Sequence, residues 1–138
     1  MSEYISDTLR NIVFERAKGK CEYCLISEAD TFHALQIEHI ISVKHGGSSF
    51  AENLALACSV CNRNKGSDVG TYLFSSDEFI RFFNPRKDNW EEHFYLKDGL
   101  ILHKTKIGEG TIKILGFNSE ELVVDRKMLI QVGRYPFE

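Results

Sequence analysis

The chain has 138 residues, of which 43% are hydrophobic and 27% are charged, and its formal net charge is −3. These values are typical of a folded protein and exclude a disordered chain. The sequence has no apolar run near the roughly 20 residues of a membrane span and no N-terminal signal pattern. We therefore expect a cytoplasmic protein with no membrane partner. The acidic balance argues weakly against a nucleic-acid partner, because phosphate binders usually present a basic surface.

The length favours one domain over residues 1–138, since a chain of this size forms one compact core. No repeat, linker or low-complexity segment interrupts it. We expect a core over about residues 6–70 and a C-terminal extension over about residues 71–138 that packs on it.

The first half predicts a helix, two strands and a second helix. Residues 6–17 carry apolar side chains at helical spacing, with Ser6 or Asp7 as a cap and Gly19 as a stop. An Ile- and Val-rich strand is expected over residues 36–43, followed by a glycine turn and a second strand over residues 54–57. A helix from Val60 to about Lys65 would end at Gly66.

The second half predicts mixed elements. Asp98-Gly99 indicates a hairpin between strands at residues 90–96 and 100–103. Residues 77–83 and 111–115 suit either a short strand or a short helix. A final helix is expected from an Asn118 cap to about Val132, with Glu121 completing a capping pair and Gly133 as the stop. Its predicted buried face consists of Leu122, Leu129, Ile130 and Val132.

Four cysteines form two pairs of the same spacing, Cys21 with Cys24 and Cys58 with Cys61. In a reducing compartment such pairs indicate a metal site, not disulfides. Two such pairs close a tetrahedron around one ion, with no position left for water or substrate. The pattern therefore predicts a structural zinc site, and an iron–sulfur cluster is an alternative for the same ligands.

The order of these cysteines, Glu38-His39, Asn53-Leu54 and Asn62-Arg-Asn-Lys65 resembles the HNH endonuclease family, the zinc-stapled ββα-metal nucleases. The resemblance covers residues 10–66. It implies an α+β fold, with a ββα-metal core, a four-cysteine zinc site and an α/β C-terminal extension. It also favours zinc at the cysteines.

The resemblance implies a metal-dependent DNA endonuclease that hydrolyses phosphodiester bonds. His39 would be the general base, and Asn53 would orient the loop and the imidazole ring. Asn62 stands where the family often has histidine, and Glu38 stands where it usually has aspartate. These two would hold the catalytic metal, and an oxygen-only pair suits Mg²⁺ or Mn²⁺. The family commonly has proline at the position of Ser42.

Three basic residues near these positions, Lys44, Arg63 and Lys65, are candidates for contact with the DNA backbone. RNA is a second possible substrate, because its phosphodiester chemistry is similar. A monomer would nick one strand, and a homodimer would be needed for a concerted double-strand cut. The rival interpretation is a non-catalytic zinc-knuckle module that binds nucleic acid. That module would have no use for Glu38, His39 and Asn62 together.

Overall fold

The computed structural model describes residues 5–136, and the chain divides between Val69 and Gly70 into two compact units. Whether the two units form one domain stays a prediction. The fold is a mixture of helices and small two-stranded sheets, as expected. Within residues 5–136 no helix has the length and apolar character that a bilayer crossing requires.

The first unit is built on a ββα arrangement. Its elements are α1 (Asp7–Ala17), β1 (Gln36–His39), β2 (Leu54–Ala57) and α2 (Ser59–Lys65), with short 3₁₀ turns at Glu28–Asp30, Val43–His45 and Ala51–Asn53. The Ser6 side chain caps α1 by accepting from the amide of Leu9, as predicted. β1 and β2 pair antiparallel, with Glu38 opposite Ala55 and His39 opposite Leu54. All four residues of β2 are buried, so this strand forms the floor of the unit.

The first strand is shorter than the sequence predicts, because it leaves the sheet after His39. The amide of Ile40 bonds the backbone oxygen of Asn53, and the amide of Ile41 bonds its side-chain oxygen. The Asn53 side chain therefore takes the place of a further backbone partner for Ile41. Residues 40–43, which the sequence predicts as strand, form a bend and a 3₁₀ turn instead.

The second unit contains two hairpins and three helices among its described residues. Its elements are β3 (Gly70–Tyr72), β4 (Phe79–Arg81), α3 (Trp90–His93), β5 (Phe94–Lys97), β6 (Leu100–His103), α4 (Lys106–Leu115) and α5 (Glu120–Gln131). The predicted Asp98-Gly99 hairpin is confirmed, since both residues have positive φ and β5 pairs antiparallel with β6. Aromatic rings of Phe83, Phe94 and Phe117 form the core of this unit, with ring centroids 5.4 and 5.7 Å apart.

Two expectations for the middle of this unit are wrong in part. Residues 90–93 are helical and not extended, because the Asn89 side chain accepts from the amide of Glu91 and caps a helical turn. Helix α4 extends well beyond the expected residues 111–115, since Thr105 caps it by accepting from the amide of Gly108.

The predicted cap of the last helix is also wrong. Ser119 occupies the cap position of α5, while the Asn118 side chain pairs with the backbone of Ile101. The buried residue of this helix is Arg126, which donates to the Gly99 carbonyl. Ile130 and Val132, both predicted as buried, are 40% and 67% exposed.

Candidate active site and metal centre

The four cysteine side chains converge inside the first unit. All are buried, and their sulfur atoms lie within 4.8 Å of one another. Sulfurs of Cys24 and Cys58 are 3.7 Å apart. Two thiolates on a tetrahedral zinc, each about 2.3 Å from the ion, would be separated by about 3.8 Å. The residues therefore fit zinc.

Local backbone geometry also suits a metal knuckle at each pair. The amide of Cys24 donates to the sulfur of Cys21 at 3.4 Å, and the amide of Cys61 donates to the sulfur of Cys58 at the same distance. Such amides stabilise negative charge on a thiolate. Hydrogen bonds from Cys21 and the other two thiols lower the pKa of Cys58. Hydrogen bonding within the same cluster, first with Cys21, raises the pKa of Cys24 and of Cys61. A metal ion that binds here must therefore displace protons from these thiols.

A cavity of about 330 Å³ opens where β1 bends away from the sheet. Its walls are formed by Ile37, Glu38, His39, Ser42, Val43, Lys44, Asn62, Gly66 and Ser67. The structure thus brings Glu38, His39, Asn62 and Lys44 to one cavity. Asn53 and Arg63 are not part of its wall.

His39 is the last residue of β1 and is half-buried. Its Nε2 atom lies 2.9 Å from the Ser49 hydroxyl oxygen. One ring nitrogen is therefore held by the protein, and His39 also lines the cavity. Because a serine hydroxyl can donate or accept, this hydrogen bond forms with either tautomer of the neutral ring.

Asn53 holds the loop that follows β1. Its side-chain oxygen accepts from the amide of Ile41 at 3.0 Å, and its amide nitrogen donates to the carbonyls of Ile41 at 2.9 Å and of Ser48 at 2.7 Å. Gly47 lies inside this loop, where an added Cβ would come within 1.7 Å of the Ile41 carbonyl oxygen. Only glycine fits there, so the loop passes close to the bend because no side chain intervenes.

Glu38 is 5% exposed, and both of its carboxylate oxygens have protein partners. The Tyr23 hydroxyl donates to Oε1, and the Lys65 ammonium donates to Oε2 at 3.0 Å. Burial raises the pKa of Glu38, against the opposing charge of Lys65. Burial, followed by the Glu38 charge, also raises the pKa of Tyr23. The tyrosine therefore stays a hydroxyl donor at neutral pH.

Asn62 turns its amide nitrogen toward the side-chain oxygen of Gln36, which leaves its own oxygen for another partner. Each Glu38 oxygen accepts one hydrogen bond and keeps a second lone pair. The donor set available on this wall is therefore a carboxylate and an amide oxygen, which fits Mg²⁺ or Mn²⁺ by chemical type.

The prediction that Lys65 contacts nucleic acid is wrong. Lys65 is 1% exposed, and its ammonium bonds Glu38 and the carbonyls of His39 and Ile40. Lys44 and Arg63 are exposed, so both have surface available to a phosphate backbone.

Sequence reasoning missed Tyr23, Ser49 and the role of Lys65. Tyr23 lies between two cysteines, and a tyrosine at that place does not indicate contact with a second site. Ser49 follows a glycine turn and is typical of any loop. Only a tertiary contact identifies these residues, because their partners lie 15, 10 and 27 positions away along the chain.

The ββα arrangement, the four clustered thiols and the cavity beside the strand end are the features expected of a ββα-metal fold with a structural metal site. Residues 21–68 match the family model described as HNH endonuclease, so the chain contains an HNH domain and the resemblance is confirmed. The chain is also similar to the Septu protein PtuB of Bacillus mycoides (strain KBAB4), with 27% identity over 150 aligned positions. That alignment covers 89% of this chain and 51% of PtuB, so the chain spans about half the length of this relative. No solved structure matches the chain.

Proposed function

We propose that this protein is a metal-dependent endonuclease that hydrolyses phosphodiester bonds in DNA. The observation that carries the proposal is that Glu38, His39 and Asn62 line the same cavity. A binding module needs the cysteines and exposed cations, but it does not need a histidine beside two oxygen donors. The match of residues 21–68 to the HNH endonuclease family supports the same class of chemistry.

His39 acts as the general base. When Nε2 donates its proton to Ser49, Nδ1 carries the free lone pair and takes a proton from the attacking water. The imidazole must be neutral for this step. Asn53 contributes by holding the bend from which His39 projects.

Glu38 and Asn62 would hold Mg²⁺ or Mn²⁺ through oxygen atoms. The ion would supply Lewis acidity to the phosphate and to the departing 3′ oxygen. The four cysteines hold zinc in a closed site, which leaves that ion a structural role.

Lys44 and Arg63 supply positive charge to the nucleic acid. Lys44 lines the cavity, and both side chains are exposed. Contacts of this kind position a backbone without reading its sequence. One cavity cuts one strand, so a monomer nicks and a double-strand cut requires a homodimer or two binding events.

Cleavage of supercoiled plasmid by His39→Ala tests the proposal. We expect a loss of roughly two to four orders of magnitude in rate, with zinc content and DNA binding retained. His33→Ala is the matched control, since His33 is exposed and lies outside the cavity. It should cleave as the wild type does.

Two results would contradict the proposal. Cleavage that survives in His39→Ala would assign the base elsewhere. A zinc-loaded wild type that binds DNA and cleaves nothing would favour the binding module. Labelled RNA in the same assay shows whether RNA is cleaved as well as DNA.

A further inference from the structure

The Glu38 carboxylate is held by two residues that come from the two cysteine knuckles. Tyr23 lies between Cys21 and Cys24, and Lys65 is the last residue of the helix that contains Cys61. Both are almost completely buried, at 0% and 1% exposure. The metal centre and the cavity therefore share two rigid connections.

Lys65 contacts more than the carboxylate. Its ammonium lies 3.0 Å from Glu38 Oε2, 3.1 Å from the His39 carbonyl oxygen and 2.9 Å from the Ile40 carbonyl oxygen. An ammonium has three protons, and these three acceptors match them in number. The two carbonyls belong to the residues where β1 leaves the sheet. The Lys65 ammonium therefore fixes the positions of both the Glu38 side chain and the backbone at His39.

A buried lysine is uncommon, because removing an ammonium from water is costly unless it is paired and hydrogen-bonded. The acceptors at Glu38, His39 and Ile40 meet that condition for Lys65. Tyr23 adds a neutral donor to the other oxygen of the same carboxylate. Donors that orient a metal-binding carboxylate commonly change metal affinity or activity by about 10–100-fold when they are removed.

We propose that Tyr23 and Lys65 are positioning residues that couple the four-cysteine site to the catalytic cavity by fixing Glu38 and the bend at His39. The inference rests on the proposed function, because it assigns Glu38 to the divalent ion. It extends that function by making the geometry of the cavity depend on the structural metal centre. Neither residue touches the substrate.

Tyr23→Phe is the decisive variant, since it removes one hydroxyl and keeps the ring that fills the core. We expect full zinc content, Mn²⁺ binding weakened by roughly 10-fold or more in DNA-free protein, and a comparable fall in kcat. Mn²⁺ affinity is measured by electron paramagnetic resonance, independently of cleavage. Tyr72→Phe is the matched control, because Tyr72 is 59% exposed and lies in the second unit.

Lys65→Met extends the test, with exposed Lys87→Met as its control. We expect Mn²⁺ binding to weaken and kcat to fall further than in Tyr23→Phe, because the bend at His39 is released as well. If this variant loses zinc and fold, Tyr23→Phe decides alone.

The inference is overturned if zinc-loaded Tyr23→Phe binds Mn²⁺ and cleaves within twofold of the wild type. It is also overturned if wild-type protein binds no Mn²⁺, since Glu38 then has no ion to hold. A wild type that binds Mn²⁺ and cleaves nothing is a different result. That outcome rejects the proposed function, while the Mn²⁺ affinities of the variants still test the positioning role.

Discussion

The unit that ends at Val69 surrounds four buried cysteines, whereas the unit that begins at Gly70 surrounds a cluster of aromatic rings. The floor of the first is the buried strand Leu54–Ala57, in which leucine and alanine alternate. In the second, Phe94 packs against Trp90, Phe83 and Phe117. Within residues 5–136, the four cysteines are the one group of three or more His, Cys, Asp or Glu side chains whose ligand atoms could hold a single ion. A unit this small commonly needs a source of stability beyond its apolar core, and a structural metal is one such source.

The largest effect should come from removing the metal. Cys24→Ser leaves three thiolates, and structural zinc contributes on the order of 10 kcal/mol. We expect fast amide hydrogen exchange across residues 7–65 in the full chain, with protection retained across residues 94–117. A chelator should give the same pattern in the wild type, and added zinc should reverse it. Equal loss of protection in both halves would show that they unfold together and would break the comparison.

Phe94→Ala should act on the other unit. Phe94 is 1% exposed, and truncating a buried phenylalanine costs roughly 3–5 kcal/mol. Urea unfolding should show this loss while zinc content stays at the wild-type level. Tyr95→Ala is the control, since Tyr95 is 42% exposed on the neighbouring position of β5. Release of zinc by Phe94→Ala would mean that the first unit depends on the aromatic core.

Gly47→Ala tests the loop beside the cavity. The new Cβ would overlap the Ile41 carbonyl, which forces the loop away from the bend at a cost of roughly 1–3 kcal/mol. We expect a lower midpoint of unfolding for the first unit and reduced cleavage. The exposed neighbour His45→Ala should change neither the midpoint nor the zinc content. A Gly47→Ala variant as stable as the wild type would show that the loop does not need this close approach.

The smallest effect concerns a surface ion pair of the second unit. Hydrogen bonds from Arg81 hold the pKa of Asp88 below its ordinary value. A lowered pKa stabilises the fold at a pH above the unfolded value of about 3.9, and this stability is lost as pH falls through the folded pKa. Asp88→Asn should therefore lower the free energy of unfolding at pH 7 by about 1 kcal/mol or less. Its difference from the wild type should shrink below about pH 4, and a constant difference would contradict the pairing.

The cysteine pairs and the residues around them carry most of what the sequence predicts. Their spacing predicts two local knuckles. β2 lies at the predicted residues 54–57, since a short apolar run between Asn53 and Cys58 favours a buried strand. Local sequence patterns give the wrong role for a residue when a distant partner competes for its side chain. Asn118 has the position of a cap, but the backbone of Ile101 takes its side chain.

Lys65 illustrates the same limit at the candidate site. A lysine near a helix end is typical of exposed surface, and the sequence predicts contact with a phosphate backbone. Its burial depends on Glu38, 27 positions earlier, and on carbonyls that a strand bend turns inward. Neither condition is visible before the chain is folded. The positions of His39 and Asn62 could be predicted by resemblance, while the Ser49 contact of His39 could not.

The most direct test of the central claim is the rate of supercoiled-plasmid nicking by zinc-loaded wild-type protein as Mg²⁺ or Mn²⁺ is added. We expect nicking to rise with the divalent ion, to stop when a chelator removes that ion while zinc stays bound, and to be absent in Glu38→Gln and His39→Ala. Nicking that proceeds equally without the divalent ion, or that persists in both variants, would contradict a metal-dependent nuclease at this cavity.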